Sequence, residues 1–264
     1  MYYKKSFIFD LDETIRVSTN DYWLPKKFFV DEMLKIPEIK QKFHHEKILE
    51  IANKIDSTRV KSGEIFGMTF DALYFNCQRF PSSLQVTYTF LCNEAGIEPN
   101  EKLLKKLYAI GMKAFDKKQY KNDFMHGAKE TLDFLLEKDC NLILLTKGDE
   151  RVQKNKINAL NLNKWFEKMY IVKDKDKKTF VELIIDLELE TEKTYSVGNS
   201  FSSDIKPALE AGIGGIEIPF VTWEFERKED KKTREIKKEF LRKYNNRYFL
   251  INKIEDMKTL YELL

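Results

Sequence analysis

Hydrophobic and polar positions follow two different rhythms along this chain. Ser6-Phe-Ile-Phe-Asp10 is a short apolar run that stops abruptly in carboxylates, and it predicts a buried strand with polar residues at its C-terminal end. From about Arg16 to Asn122 the apolar positions recur at three-to-four spacing. Phe28, Phe29, Met33 and Leu34 show it, as do Ile48, Ile51, Ala52 and Ile55, and again Leu103, Leu104, Leu107 and Ile110. This stretch predicts a helical block.

After Asn122 the rhythm alternates. A helix over about Ala128 to Lys138 leads into a strand at Asn141–Thr146, and a helix over about Glu150 to Leu160 leads into Met169–Val172. A helix from about Lys178 to Leu187 precedes Thr194–Gly198. A helix from about Ile205 to Ala211 precedes Gly215–Ile218, and Tyr248–Ile251 comes before a last helix. Alternating helices and apolar strands predict an α/β fold, a Rossmann-like parallel sheet with helices on both faces. The economical organisation is one core of residues 1–15 plus 123–264, with an α-helical domain of residues 16–122 inserted after the first strand.

Composition narrows the class. Of 264 residues 42% are apolar and 34% charged, with 10 Gly and 6 Pro, a globular balance without low-complexity linkers. The net charge of +3 argues neither for nor against a polyanionic partner. Cys77, Cys92 and Cys140 are odd in number and form no CxxC pair, so no disulfide framework is expected. The opening Met-Tyr-Tyr-Lys-Lys is too short and polar for a signal peptide, and no apolar run is long enough to span a membrane. A cytoplasmic setting is expected.

In an open α/β sheet ligands sit at the carboxyl ends of the strands. The first predicted strand ends in Asp10-Leu-Asp12-Glu-Thr14 and the second in Thr146-Lys-Gly-Asp149. The third is followed by Lys173-Asp-Lys175-Asp-Lys177-Lys178, and the fourth ends in Gly198-Asn-Ser-Phe-Ser-Ser-Asp204. Carboxylates, a hydroxyl and a lysine converging on one patch suit phosphoryl transfer, which needs a nucleophile, a proton shuttle, cationic neutralisation and a metal.

The ordered set DxDxT, strand-end Thr, Lys and GNSxxSD resembles the haloacid dehalogenase-like (HAD) superfamily across the whole core. The helical insertion between the first two motifs resembles that family's cap domain. The resemblance implies that Asp10 attacks phosphorus, while Asp12 protonates the leaving oxygen and then activates water. It implies that Thr146 binds a phosphoryl oxygen, with Lys147 beside it as a further phosphate contact. Lys175 would hold nucleophile and phosphate by charge; it stands four residues before Thr179-Phe180, as the family lysine does, with Lys177 and Lys178 as alternatives. A magnesium ion, Mg²⁺, would be held by Asp10, the Asp12 carbonyl and Asp204. Many relatives carry an acid after the fourth motif's glycine, where this chain has Asn199, a supporting residue that adds no charge.

The resemblance also sorts activities. Dehalogenases of the superfamily lack an acid at the Asp12 position, so its presence favours a phosphatase or a phosphomutase. A catalytically silent binding protein on the same fold is the competing class. The expected substrate is a small phosphorylated metabolite, of the sugar phosphate or nucleoside monophosphate class. Residues 16–122 carry 18 basic and 13 acidic side chains, a positive lid suited to an anion. Arg59, Gly63–Gly67 and Arg79–Pro81 are its candidate contacts. His44, His45 and His126 show no metal-ligand spacing. Ten basic and four acidic residues between Arg227 and Arg247 could suit nucleic acid, but a charged, solvent-facing helix is the preferred reading.

Overall fold

The computed structural model describes residues 4–121, 123–220 and 231–264. The first three residues, Asn122 and the leading part of the basic 227–247 segment lie outside them. The chain forms two compact units, Met1–Ser18 with Lys121–Leu264, and Thr19–Tyr120.

In chain order the elements begin with β1 (Ser6–Phe9), followed by α1 (Thr19–Met33), α2 (Pro37–Lys42), α3 (His45–Thr58), β2 (Gly63–Ile65), β3 (Met68–Phe70), α4 (Arg79–Ala95) and α5 (Glu101–Met112). They continue with α6 (Ala128–Glu137), β4 (Asn141–Lys147), α7 (Glu150–Ala159), β5 (Lys168–Val172), α8 (Lys177–Asp186) and β6 (Thr194–Gly198). The last are α9 (Lys206–Glu210), β7 (Gly214–Glu217), α10 (Lys231–Arg242), β8 (Tyr248–Leu250) and α11 (Met257–Tyr261).

The larger unit is built on a six-stranded sheet of order β5-β4-β1-β6-β7-β8 with every pairing parallel. β1 is central, pairing Phe7 with Leu142 of β4 and with Tyr195 of β6. Its alternation explains the two cores. Phe7 and Phe9 point to one face, with Leu142, Leu144, Val197 and residues of α6 and α11. Ile8 points to the other, with Ile143, Leu145, Phe180 of α8 and Ala208 of α9. After β4 the chain steps outward to β5, then crosses β1 to reach β6. That reversal opens a crevice at the C-terminal ends of β4, β1 and β6.

The smaller unit packs α1, α3, α4 and α5 around Phe29, Ile51, Ile55, Phe80, Leu84 and Leu107. A Cβ at Gly111 of α5 would lie 2.5 Å from the Cα of Pro81 in α4, so only glycine permits this approach. A buried bidentate pair, Arg79 with Asp56 at 3.0 Å, ties α4 to α3.

Three sequence expectations are corrected. The insertion does not begin at Arg16: Arg16 is fully buried in the larger unit, where its guanidinium reaches Asp12 and Asp123. The helical block contains a hairpin, β2–β3, turned by Phe66 and Gly67 with positive φ. The helix expected from Ile205 opens with a π-turn over Phe201–Ile205 before α9. In α10, Arg234, Glu235, Lys238 and Glu239 face solvent as expected of a charged helix. Lys237 reaches the buried Glu217 at 2.7 Å, and Phe240 packs edge-on against Phe201. Among the described residues no helix is long and apolar enough to cross a membrane.

Candidate active site

Asp10 follows β1 directly, and its backbone N–H donates to the Val197 carbonyl at 2.9 Å, which pins the strand end against β6. The chain then turns tightly, with Ile15 and Arg16 both donating to the Leu11 carbonyl. Glu13 in this turn is buried at φ 60°, a left-handed conformation uncommon for a side-chain-bearing residue. The loop so formed holds Asp10 and Asp12 at the mouth of the crevice.

Lys175 is the centre of one half of the site. Its ammonium donates to Asp10 Oδ1 at 2.5 Å and to Asp204 Oδ1 at 2.7 Å, and the lysine is only 4% exposed. Lys177 and Lys178 point to solvent, so the structure separates Lys175 from its neighbours in the basic run. Burial alone would discharge this lysine, but the two carboxylates outweigh it and raise its pKa. Burial pushes the Asp10 carboxyl above the ordinary range, with Asp204 adding to that and Lys175 opposing it. Asp204 sits in the π-turn after β6, where the Ser200 N–H donates to its Oδ2 at 2.9 Å. A Cβ on Gly198 would come within 2.4 Å of the Asp204 carboxylate, so the glycine of the fourth motif is a space requirement.

The other half centres on Asp12. Lys156 of α7 donates to both of its oxygens at 2.9 Å, and Arg16 approaches Oδ1 at 3.4 Å. Gln153, one turn earlier on α7, donates to Oδ2 at 3.0 Å and to the Thr146 hydroxyl at 2.7 Å. Burial disfavours the Asp12 carboxylate, but the charges of Lys156 and Arg16 and these hydrogen bonds win and lower its pKa to about 2. Asp149 caps α7 by accepting from the Val152 N–H, which fixes the helix that delivers both residues.

Two expected residues stand apart. Lys147 donates to Ser203 at 2.9 Å and lies 3.6 Å from Asp174, so its ammonium braces the second motif loop against the third and fourth. Asn199 is half-buried, and its amide makes no hydrogen bond among the described residues. His44, His45 and His126 are exposed.

Sequence reasoning missed Gln153, Lys156 and Asp123. The signal for the first two was present: Val152, Gln153, Lys156 and Ile157 form the buried stripe of α7, and two polar residues interrupt it. Buried polar side chains on a core-facing stripe need partners, and here the partner is Asp12 in the loop after β1.

The donor set suits a small hard cation. Among the described residues no three His, Cys, Asp or Glu side chains form a cage. Asp10 and Asp204 nevertheless bring two carboxyl groups together on either side of the Lys175 ammonium. Magnesium takes one or two carboxylates and completes its shell with water and phosphate.

The family model for haloacid dehalogenase-like hydrolases matches residues 68–218, more than half of the chain. Similar solved structures cover nearly the whole of it. A haloacid dehalogenase-like hydrolase from Xanthomonas campestris shares 18% identity at a TM-score of 0.66, covering 98% of this chain and 91% of its own. YfnB from Bacillus subtilis, described as a HAD-hydrolase bound to magnesium, shares 17% at 0.59, with 98% and 99% covered. A predicted phosphoglycolate phosphatase from Haemophilus somnus shares 15% at 0.57, with 98% of each covered. 2-Haloacid dehalogenases are among the similar structures as well. Nothing among curated proteins matches. The sheet order, the strand-end residues and the matched family model agree, and the chain belongs to the haloacid dehalogenase-like hydrolases.

Proposed function

We propose that this hydrolase is a magnesium-dependent phosphatase that cleaves a small phosphorylated metabolite through an aspartyl-phosphate on Asp10. The observation that carries the reading is the second carboxylate: Asp12 is present and held by Lys156, Gln153 and Arg16. Halide leaves without a proton, so a dehalogenase needs no acid there; an alkoxide leaving group does need one.

In this mechanism Lys175 grips Asp10 Oδ1, and Oδ2, which accepts no hydrogen bond from a described residue, attacks phosphorus. The Oδ2–P bond forms as the P–O bond to the leaving group breaks, with the leaving oxygen taking a proton from Asp12. Water then attacks the same phosphorus, gives its proton to Asp12 and frees Asp10 and inorganic phosphate. Asp10, Asp204 and the Asp12 carbonyl would hold Mg²⁺, which when bound neutralises phosphoryl charge. Thr146 and Lys175 supply the remaining hydrogen bonds and charge. Asp12 as it stands is ionised, the form that accepts a proton in the second step. To serve the first step it must take up a proton against the pull of Lys156, so esters with good leaving groups are the faster substrates.

The helical unit is proposed to select among metabolites, with a sugar phosphate or nucleoside monophosphate as the class. A cytosolic setting belongs to the same proposal; Cys77, Cys92 and Cys140 are free thiols, all buried. The test is an aryl phosphate assay with magnesium and with chelator. Magnesium-dependent phosphate release supports the reading. Halide release from a 2-haloacid, without phosphate release, overturns it.

A further inference from the structure

Gln153 has no place in the reaction just described, yet it is 2% exposed and lies between two groups that do. Its Nε2 is 3.0 Å from Asp12 Oδ2, 2.7 Å from Thr146 Oγ1 and 3.1 Å from the Lys147 carbonyl oxygen. The choice between the two ends of an amide is normally an assignment. Chemistry makes that choice here. An ionised carboxylate and a carbonyl can only accept, so the NH₂ end must face them. Turned the other way, Oε1 would confront two acceptors.

That orientation has a consequence for Thr146. With two N–H bonds for three acceptors, the nearest acceptor, the Thr146 hydroxyl at 2.7 Å, takes one and so keeps its own proton for another acceptor, while Asp12 Oδ2 and the Lys147 carbonyl share the other. No described residue takes that proton. Oε1 of Gln153, meanwhile, is buried without a partner among the described residues. Buried side-chain oxygens are normally satisfied, so this amide forgoes a hydrogen bond at Oε1 in order to keep its NH₂ group on the three acceptors.

We propose that Gln153 is a positioning residue that makes Thr146 a donor to the phosphoryl group and anchors Asp12 with the same amide. One side chain on α7 thereby couples the phosphate-binding hydroxyl to the acid–base group. This deepens the phosphatase reading and rests on it. The alternative is a structural role alone, tying α7 to the end of β4 through the Lys147 carbonyl.

The test compares Gln153→Met and Gln153→Glu in the parent and in a Thr146→Val background. Titration calorimetry with inorganic phosphate and magnesium, and kcat and KM on an aryl phosphate, are the readouts. In the parent either change should weaken phosphate binding roughly tenfold, about one hydrogen bond's worth. In the Thr146→Val background neither should weaken it further. Equal weakening in both backgrounds, or none in the parent, overturns the proposal. A second readout does not need turnover: the side-chain NH₂ resonances missing from Gln153→Met, or from Gln153→Glu should the Met variant not fold. They should shift in both Asp12→Asn and Thr146→Val. Resonances unmoved in either variant overturn the bridge. A parent that neither binds phosphate nor cleaves the ester overturns the phosphatase reading and the phosphate half of this proposal, while the resonances still decide the bridge.

Discussion

The Lys156 ammonium stands 2.9 Å from both carboxylate oxygens of Asp12, joining α7 to the loop after β1 across 144 positions of sequence. The lysine side chain is 8% exposed and the carboxylate 27%, so water replaces little of the pair if either partner is lost. The contact makes Asp12 part of the core's packing.

Lys156→Met should therefore destabilise the protein. Breaking a fully buried pair costs roughly 3–5 kcal/mol, and the part-exposed Asp12 with Arg16 nearby reduces this to roughly 2–3 kcal/mol. Adding Asp12→Asn should recover part of the loss, because the stranded charge is gone. Urea unfolding of the two single variants and the double variant measures this; strictly additive losses would show that the pair is not coupled.

Acid should reveal the same contact. Asp12 has a folded pKa of about 2 against an ordinary 3.8, so it stabilises the fold above about pH 4 and that contribution is lost as pH falls towards 2. At roughly 1.4 kcal/mol per unit, about 2 kcal/mol is involved. The parent should lose more stability than Asp12→Asn over this window. Parallel melting curves for the two proteins would contradict the depressed pKa.

Much of this was legible in the sequence because four of the six strands of the sheet, β1, β4, β5 and β6, end in their own signals. Ser6–Phe9 and Asn141–Thr146 are apolar runs cut off by polar residues, and the parallel sheet places those ends side by side. Lys175 was separable from its lysine neighbours through its spacing to Thr179; the structure adds the reason, since only Lys175 turns inward between Asp10 and Asp204. Arg16 was assigned to the insertion because periodicity cannot show that its guanidinium returns to Asp12 and Asp123. Gln153 and Lys156 stayed hidden for a related reason. Their partners are distant in sequence, and a helix pattern records which face is buried without recording what lies opposite.

Metal dependence should follow Asp204. Asp204→Asn should raise the magnesium concentration for half-maximal activity sharply, because one of two anionic ligands loses its charge. Asn199→Asp should lower that requirement or leave it unchanged. An Asp204→Asn titration superimposing on the parent's would place the metal elsewhere.

The leaving group should distinguish the two aspartates. Asp12→Asn should reduce turnover of an alkyl phosphate far more than of an aryl phosphate, general acid–base help being worth roughly 10²–10⁴-fold. Equal losses on both esters would remove Asp12 from the role of proton donor.

Covalent chemistry on Asp10 is the central claim, and acid quenching during steady-state turnover followed by peptide mass mapping tests it most directly. The account predicts one phosphoryl group on the peptide carrying Asp10, acid-stable and alkali-labile, and its disappearance together with turnover in a folded Asp10→Asn variant. A phosphoryl group on another residue would contradict it, as would an Asp10→Asn variant that turns over within about tenfold of the parent, a barrier change of only about 1.4 kcal/mol.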